Sequence, residues 1–188
     1  MSIKIHQIRF APIARSSAIC VCALSLIVFA TAPAQAQLGA VFPSLAPVET
    51  IKVDELKTLL DQRKAAEKKA QAEEKTVDSD FVLVDVRSEK EFSVSMIPGA
   101  ITKAEFEKQK SKFKDKTVIA YCLVGGRSGR YASELRREGY DVKNFKGSIL
   151  GWCQAELPVV TPDGKPTKRV HIYSDRYSIP DSYEALTE

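Results

Sequence analysis

Thr117-Val118-Ile119-Ala120-Tyr121-Cys122-Leu123-Val124-Gly125-Gly126-Arg127-Ser128-Gly129-Arg130 sets a cysteine between two recognisable elements. Residues 117–121 form a continuous apolar run, the pattern of a strand covered on both faces in a parallel sheet. Ser128 to Glu138 reads as a helix with Tyr131, Ala132 and Leu135 turned inward, and Gly139 stops it. Cys122 thus falls where a buried strand ends and a helix is about to begin. In α/β sheets ligands bind outside the carboxyl ends of the strands.

Working outward, Phe81-Val82-Leu83-Val84-Asp85-Val86 repeats the apolar run and ends in an acid, and Val142 to Phe145 makes a last short strand. Between the two long runs lie a short charged helix at Glu89 to Phe92, an Ile-Pro-Gly-Ala turn at 97–100 and a helix near Lys103 to Lys112. Upstream, Leu56, Leu59 and Leu60 mark the buried face of a helix that Asp54 can cap, and its charged continuation to about Lys75 reads as a solvated extension. Strands alternating with helices predict an α/β domain with a parallel sheet. Trp152, Leu157, Pro158 and Val159 read as a cover for the core. Residues 161–188 are polar and turn-rich, a surface wrap with Val170-His171-Ile172-Tyr173 as an edge strand.

The 188 residues allow one compact domain plus a targeting segment. Lys4, Arg9 and Arg15 precede an apolar run of about 13 residues, Ala18 to Ala30, followed by Ala34-Gln35-Ala36. A membrane-spanning helix needs roughly 20 residues. Residues 1–36 therefore read as a signal peptide cleaved after Ala36, residues 37–50 as a linker, and the mature chain as exported, periplasmic and without a membrane anchor. Without the first 36 residues, 25 basic face 24 acidic residues, a net charge of only +1. No basic stripe with interleaved aromatics remains, which excludes nucleic acid as a partner. Cys20 and Cys22 leave with the signal, while Cys122 and Cys153 stay. Two readings stand open: the pair bonded to each other, or one reactive thiol beside an inert one. There is no metal-ligand cluster, and His171, the one histidine left, reads as a surface residue. No phosphate loop or dinucleotide fingerprint implies a nucleotide cofactor.

Loop amides turned inward as a nest, together with the helix N-terminus, favour anionic sulfur over the thiol. Such surroundings lower a cysteine pKa from near 8.5 to between about 3.5 and 7.5, which makes Cys122 a ready nucleophile. Arg127 supplies positive charge for an incoming oxyanion or a leaving group such as sulfite, and Arg130 pairs with an acid. The competing reading is a buried cysteine that only packs.

Through these residues the chain from about Ile51 to Val160 resembles the rhodanese-like sulfurtransferases. Val84-Asp85-Val86-Arg87, Glu91-Phe92 and Ile97-Pro98-Gly99-Ala100-Ile101 are similar to the family's first signature. Cys122 to Ser128 is similar to its active-site loop, and Gly151-Trp152 with Leu157-Pro158-Val159 to its closing motif. The resemblance implies a five-stranded, mostly parallel sheet flanked by helices on both faces, and a ping-pong reaction. Cys122 would take sulfane sulfur from thiosulfate or a related donor as a persulfide and pass it to cyanide, a thiol or a protein acceptor. It further implies that Leu123, Val124, Gly125, Gly126, Arg127 and Ser128 bind the transferred group, that Asp85 and Arg87 support the loop, and that no cofactor beyond the covalent persulfide is used. The chain departs from the pattern at Met96, where the family usually has His, at Glu156, where it commonly has Gly, in having Cys153, and in the extension after Leu60. Dual-specificity phosphatases that share the fold need five residues between cysteine and arginine, whereas Cys122 and Arg127 enclose four. Two further alternatives are a binding or sulfur-carrier module without turnover and a redox protein in which Cys153 resolves an oxidised Cys122.

Overall fold

The computed structural model describes residues 47–187; the segment read as a signal peptide, 1–36, and residues 37–46 of the linker lie outside the described residues. The sheet has five strands: β1 (Glu49–Thr50), β2 (Phe81–Asp85), β3 (Ala100–Thr102), β4 (Thr117–Tyr121) and β5 (Val142–Asn144). Their order is β1-β5-β4-β2-β3 and every pairing is parallel. The two strands with apolar runs, β2 and β4, pair along their full length at the centre, Phe81 opposite Thr117 and Asp85 opposite Tyr121. That register sets Asp85 beside the strand end from which Cys122 emerges.

Because side chains alternate across a strand, each central run feeds two cores. Phe81, Leu83, Ile119 and Tyr121 join one cluster with Leu56, Ile149 and Trp152; Val82, Val84, Val118 and Ala120 join the other with Phe106, Tyr131 and Leu135. The first face is therefore covered by α1 (Val53–Ala72) and α5 (Ser148–Gln154), the second by α3 (Lys103–Lys108) and α4 (Gly126–Arg137). This double cover is why neither strand shows an alternating polar pattern. A short helix, α2 (Glu89–Phe92), and a 3₁₀ turn at Lys110–Phe113 complete the connections.

Several boundaries differ from the sequence reading. Glu49 and Thr50, read as the end of the linker, form the sheet edge through Lys143 and Asn144. The backbone N–H of Lys52, not Asp54, opens α1, donating to the Glu55 carboxylate at 2.9 Å. Helix α1 stops at Ala72, and its exposed stretch carries Lys57–Asp61 and Arg63–Glu67 pairs. Helix α4 begins two residues earlier than expected, since Gly125, with φ +87°, caps it and Gly126 is already helical. Glu156 has φ +55°, a left-handed conformation that glycine adopts without strain.

The tail is no loose wrap. Val170, Ile172 and Tyr183 are buried in the same cluster as Leu123 and Trp152. Burial of each is worth roughly 1.5–3 kcal/mol. The Tyr183 hydroxyl donates to the Leu157 carbonyl at 2.6 Å, and the Gln154 amide to the Ser178 carbonyl at 3.0 Å. Strand β8 (Arg169–His171) pairs with β9 (Glu184–Leu186) in a separate two-stranded sheet, and β6 (Val159–Val160) with β7 (Pro166–Thr167) in another. Among the described residues no helix is long and apolar enough to cross a membrane.

Candidate active site

Strand β4 delivers Cys122, the turn at 123–125 reverses the chain, and α4 begins at Gly126. The turn requires glycine at 125: a Cβ there would lie 2.4 Å from the Lys146 carbonyl oxygen. The conformation is locked by Asn144, whose side-chain amide donates to the Gly125 carbonyl at 3.1 Å. Cys122 itself is pinned from the far side, its N–H donating to Ser148 Oγ at 3.1 Å and its carbonyl accepting from Ile149 N–H at 3.2 Å.

The sulfur faces the start of α4. Gly125 N–H approaches Sγ at 3.2 Å and Ser128 Oγ at 3.5 Å. Burial raises the thiol pKa, but hydrogen bonds from the Ser128 hydroxyl and from the amides of Ser128, Val124 and Gly125 outweigh it, so the group lies below the ordinary thiol value. The Ser128 hydroxyl also lies 2.8 Å from Asn144 Oδ1. With a single proton it can serve only one of these acceptors at a time. The second cysteine, Cys153, is fully buried in the apolar cluster; burial pushes its thiol up to about 12, with only Arg87 acting slightly against it. Both cysteines are free.

Asp85 and Arg87 form the buried frame behind the loop. Arg87 Nη2 donates to Asp85 Oδ2 at 2.6 Å and its backbone N–H to Oδ1 at 3.0 Å, while the Tyr121 hydroxyl donates to Asp85 Oδ2 at 2.6 Å. Tyr121 accepts in turn from the Ile97 N–H at 3.1 Å. Strand β4, which leads into Cys122, is thus tied to the first signature through its last residue, Tyr121. Arg87 also donates to the Ser95 carbonyl, and nearby Met96 exchanges hydrogen bonds with Val160 at 2.7 and 3.0 Å.

Arg127 is not the free cation the sequence reading expects. Its two terminal nitrogens donate to Oε2 and Oε1 of Glu91, each at 2.6 Å. Hydrogen bonding to Glu91 is the main cause that raises the Arg127 pKa, with the charge of Cys122 a smaller one. For Glu91, burial is outweighed by Arg127 and by the hydroxyl and N–H of Ser88, and its carboxyl is held at about 2. Arg130 lies beside Lys103 and Glu134 in an adjoining cleft, away from the sulfur. His171 is buried, contrary to the surface reading, because β8 packs on α2; its Nδ1 accepts from Tyr173 N–H at 3.2 Å.

The cleft above the sulfur has a volume of about 460 Å³ and is lined by Cys122, Leu123, Val124, Gly126, Arg127, Tyr173 and Tyr177. Glu91, Asn144, Ser148 and the two tyrosines do not stand out in the sequence as site residues. Only Glu91 carries a local signal, as the fourth residue of Ser88-Glu89-Lys90-Glu91, a capping box that opens α2.

Residues 54–155 match the model of the rhodanese-like domain, and the chain belongs to that family. A sulfurtransferase of Allochromatium vinosum is 35% identical over 89 residues, which are 45% of this chain and 83% of that protein. A tRNA uridine(34) hydroxylase of Enterococcus faecalis is 28% identical over 121 residues, 58% of this chain but only 37% of the hydroxylase. A solved thiosulfate sulfurtransferase from Pseudomonas aeruginosa overlaps 70% of this chain and 23% of its own, at 20% identity and a TM-score of 0.49.

Proposed function

We propose that the chain is a sulfurtransferase in which Cys122 accepts sulfane sulfur from thiosulfate or a related donor and releases it to cyanide or a thiol, including a protein thiol. The observation that carries this reading is the set of loop amides and the Ser128 hydroxyl around Cys122 Sγ, which favours thiolate at the floor of the cleft. In the first half-reaction the thiolate attacks the outer sulfur of thiosulfate. A bond forms between Sγ and that sulfur, the donor S–S bond breaks, and its electron pair leaves with sulfite. The persulfide then bears the negative charge that the thiolate had, so the same amides hold it. In the second half-reaction an acceptor nucleophile attacks the outer sulfur, the Cys122 S–S bond breaks, and the electron pair returns to Sγ.

The role of the other loop residues follows from where they stand. Val124 presents its apolar side chain at the entrance while Leu123 is buried in the core beneath, Gly125 lets the backbone approach the sulfur, Gly126 opens α4, and Arg127 with Glu91 forms one wall. Asp85 and Arg87 hold the strand end that carries Cys122. No step of this chemistry needs a cofactor. The export signal read in residues 1–36 supports a periplasmic setting, where a resting persulfide shields the thiol from irreversible oxidation.

Intact mass of the mature domain, with and without thiosulfate, tests the reading. A gain of about 32 mass units, discharged by cyanide and absent in Cys122→Ser, is expected from a sulfur held on Cys122. Failure to load sulfur from both thiosulfate and an organic persulfide would overturn it.

A further inference from the structure

Val77, Val124 and Tyr173 are the large apolar side chains that stand exposed among the described residues, and two of the three flank the cleft above Cys122. Exposed apolar groups clustered at a cavity mark a place where something apolar docks. Tyr173 comes from the tail, beyond the residues that match the family model. It is 67% exposed and has φ +69°. Ser174 N–H donates back to the Ile172 carbonyl at 2.8 Å, closing a γ-turn with Tyr173 at its centre. A bulky residue in the left-handed region is strained, and such strain persists only where neighbours impose it and collects at functional sites. Here the neighbours are fixed: Ile172 is buried and bonded to the Leu186 carbonyl at 2.8 Å, Tyr173 N–H is held by His171, and Tyr177 N–H by the Ser174 carbonyl at 3.1 Å. The tail thus sets Tyr173 and Tyr177 in the lining of the cleft that Cys122 shares, with a strained backbone at Tyr173.

The electrostatics point the same way. A dianionic donor gains most from an uncompensated cation at the mouth, whereas Arg127, which lines the cleft, has its charge offset by the Glu91 carboxylate through two hydrogen bonds. The volume, about 460 Å³, falls in the range of small-molecule sites, roughly 300–1,000 Å³.

Resting on the sulfurtransferase reading above, we infer that Tyr173 and Tyr177, with Val124, form a specificity rim that selects donors carrying an apolar or aromatic group beside the sulfane sulfur, over small inorganic anions. The transfer is balanced as before: Cys122 thiolate bonds to the outer sulfur, the donor bond to that sulfur breaks, and the organic fragment leaves with the electron pair.

Benzenethiosulfonate and methanethiosulfonate are matched monoanionic probes that each give up the outer sulfur and leave as a sulfinate. The readout is the ratio of their kcat/KM values with cyanide as acceptor, in the full mature chain and in Tyr173→Gly, where glycine takes the left-handed conformation without strain. Tyr173→Gly should lower the benzene-to-methane ratio about fivefold, within the span expected for loss of an aromatic contact, while the melting temperature holds or rises. Tyr177→Leu, which keeps apolar bulk, should lower it about twofold. An unchanged ratio in both variants overturns the rim. If the wild-type chain takes sulfur from neither probe nor from thiosulfate, the sulfurtransferase reading fails and the rim with it; sulfur loading with an unchanged ratio sinks the rim alone.

Discussion

Cys122 and Cys153 are buried alike, at 1% and 0% exposure, yet their thiols are driven in opposite directions. Burial raises both, because it penalises the charged form. Cys153 lies inside α5 among apolar side chains with nothing to hold a thiolate, and it stays a thiol at any physiological pH. Cys122 lies at a helix start, where amides have no intrahelical partner and turn to the sulfur. The ionisation of this thiol is therefore set by the Ser128 hydroxyl and the loop amides around the sulfur, not by its accessibility.

The difference between the two thiols depends first on the buried frame. Asp85 is fully buried and compensates Arg87, so Asp85→Asn should cost roughly 3–5 kcal/mol in urea unfolding, since it strands a buried guanidinium. A loss under about 1 kcal/mol would mean that the frame is not what holds the strand end. Next comes the turn. Gly125→Ala sets a methyl against the Lys146 carbonyl at a backbone φ of +87°, and the displaced amides should slow sulfur loading about 100-fold, with Cys153 untouched. Stopped-flow sulfur loading measures this, and a change under fivefold would show that amide placement does not matter.

Two milder substitutions probe each thiol separately. Ser128→Ala removes one donor to the sulfur and should raise the Cys122 pKa, moving the rate-against-pH profile measurably to higher pH. Cys153→Ala should leave sulfur loading within twofold and cost only about 1 kcal/mol, for a small cavity. Loss of activity in Cys153→Ala would favour the redox pairing of the two cysteines instead.

Much of this architecture is legible in the amino-acid sequence alone. The apolar runs at 81–86 and 117–121 stand out because both faces are covered, and the cysteine between strand and helix follows from them. Strands β1 and β3 escape a sequence reading since two or three residues carry no period. The Arg127–Glu91 pair escapes it because the contact closes over a separation of 36 residues and depends on where α2 lands. Asn144 and Ser148 reach the loop from β5 and α5 by packing alone. The tail reads as a polar wrap because its apolar residues are few among polar and turn residues; Val170, Ile172 and Tyr183 still find the core. Tyr173 and Tyr177 carry no pattern of their own that marks them for the site.

The most direct test is alkylation of the folded protein with iodoacetamide across pH 5 to 10, with Cys122 and Cys153 each followed by peptide mass. Since the Cys122 pKa is lowered, its alkylation rate should rise and level off at lower pH than that of an ordinary cysteine. Cys153, raised to about 12, should remain unlabelled until the protein unfolds. Equal labelling of the two, or a Cys122 profile centred at or above the pH of a free cysteine, would show that the loop does not set the reactivity of this thiol.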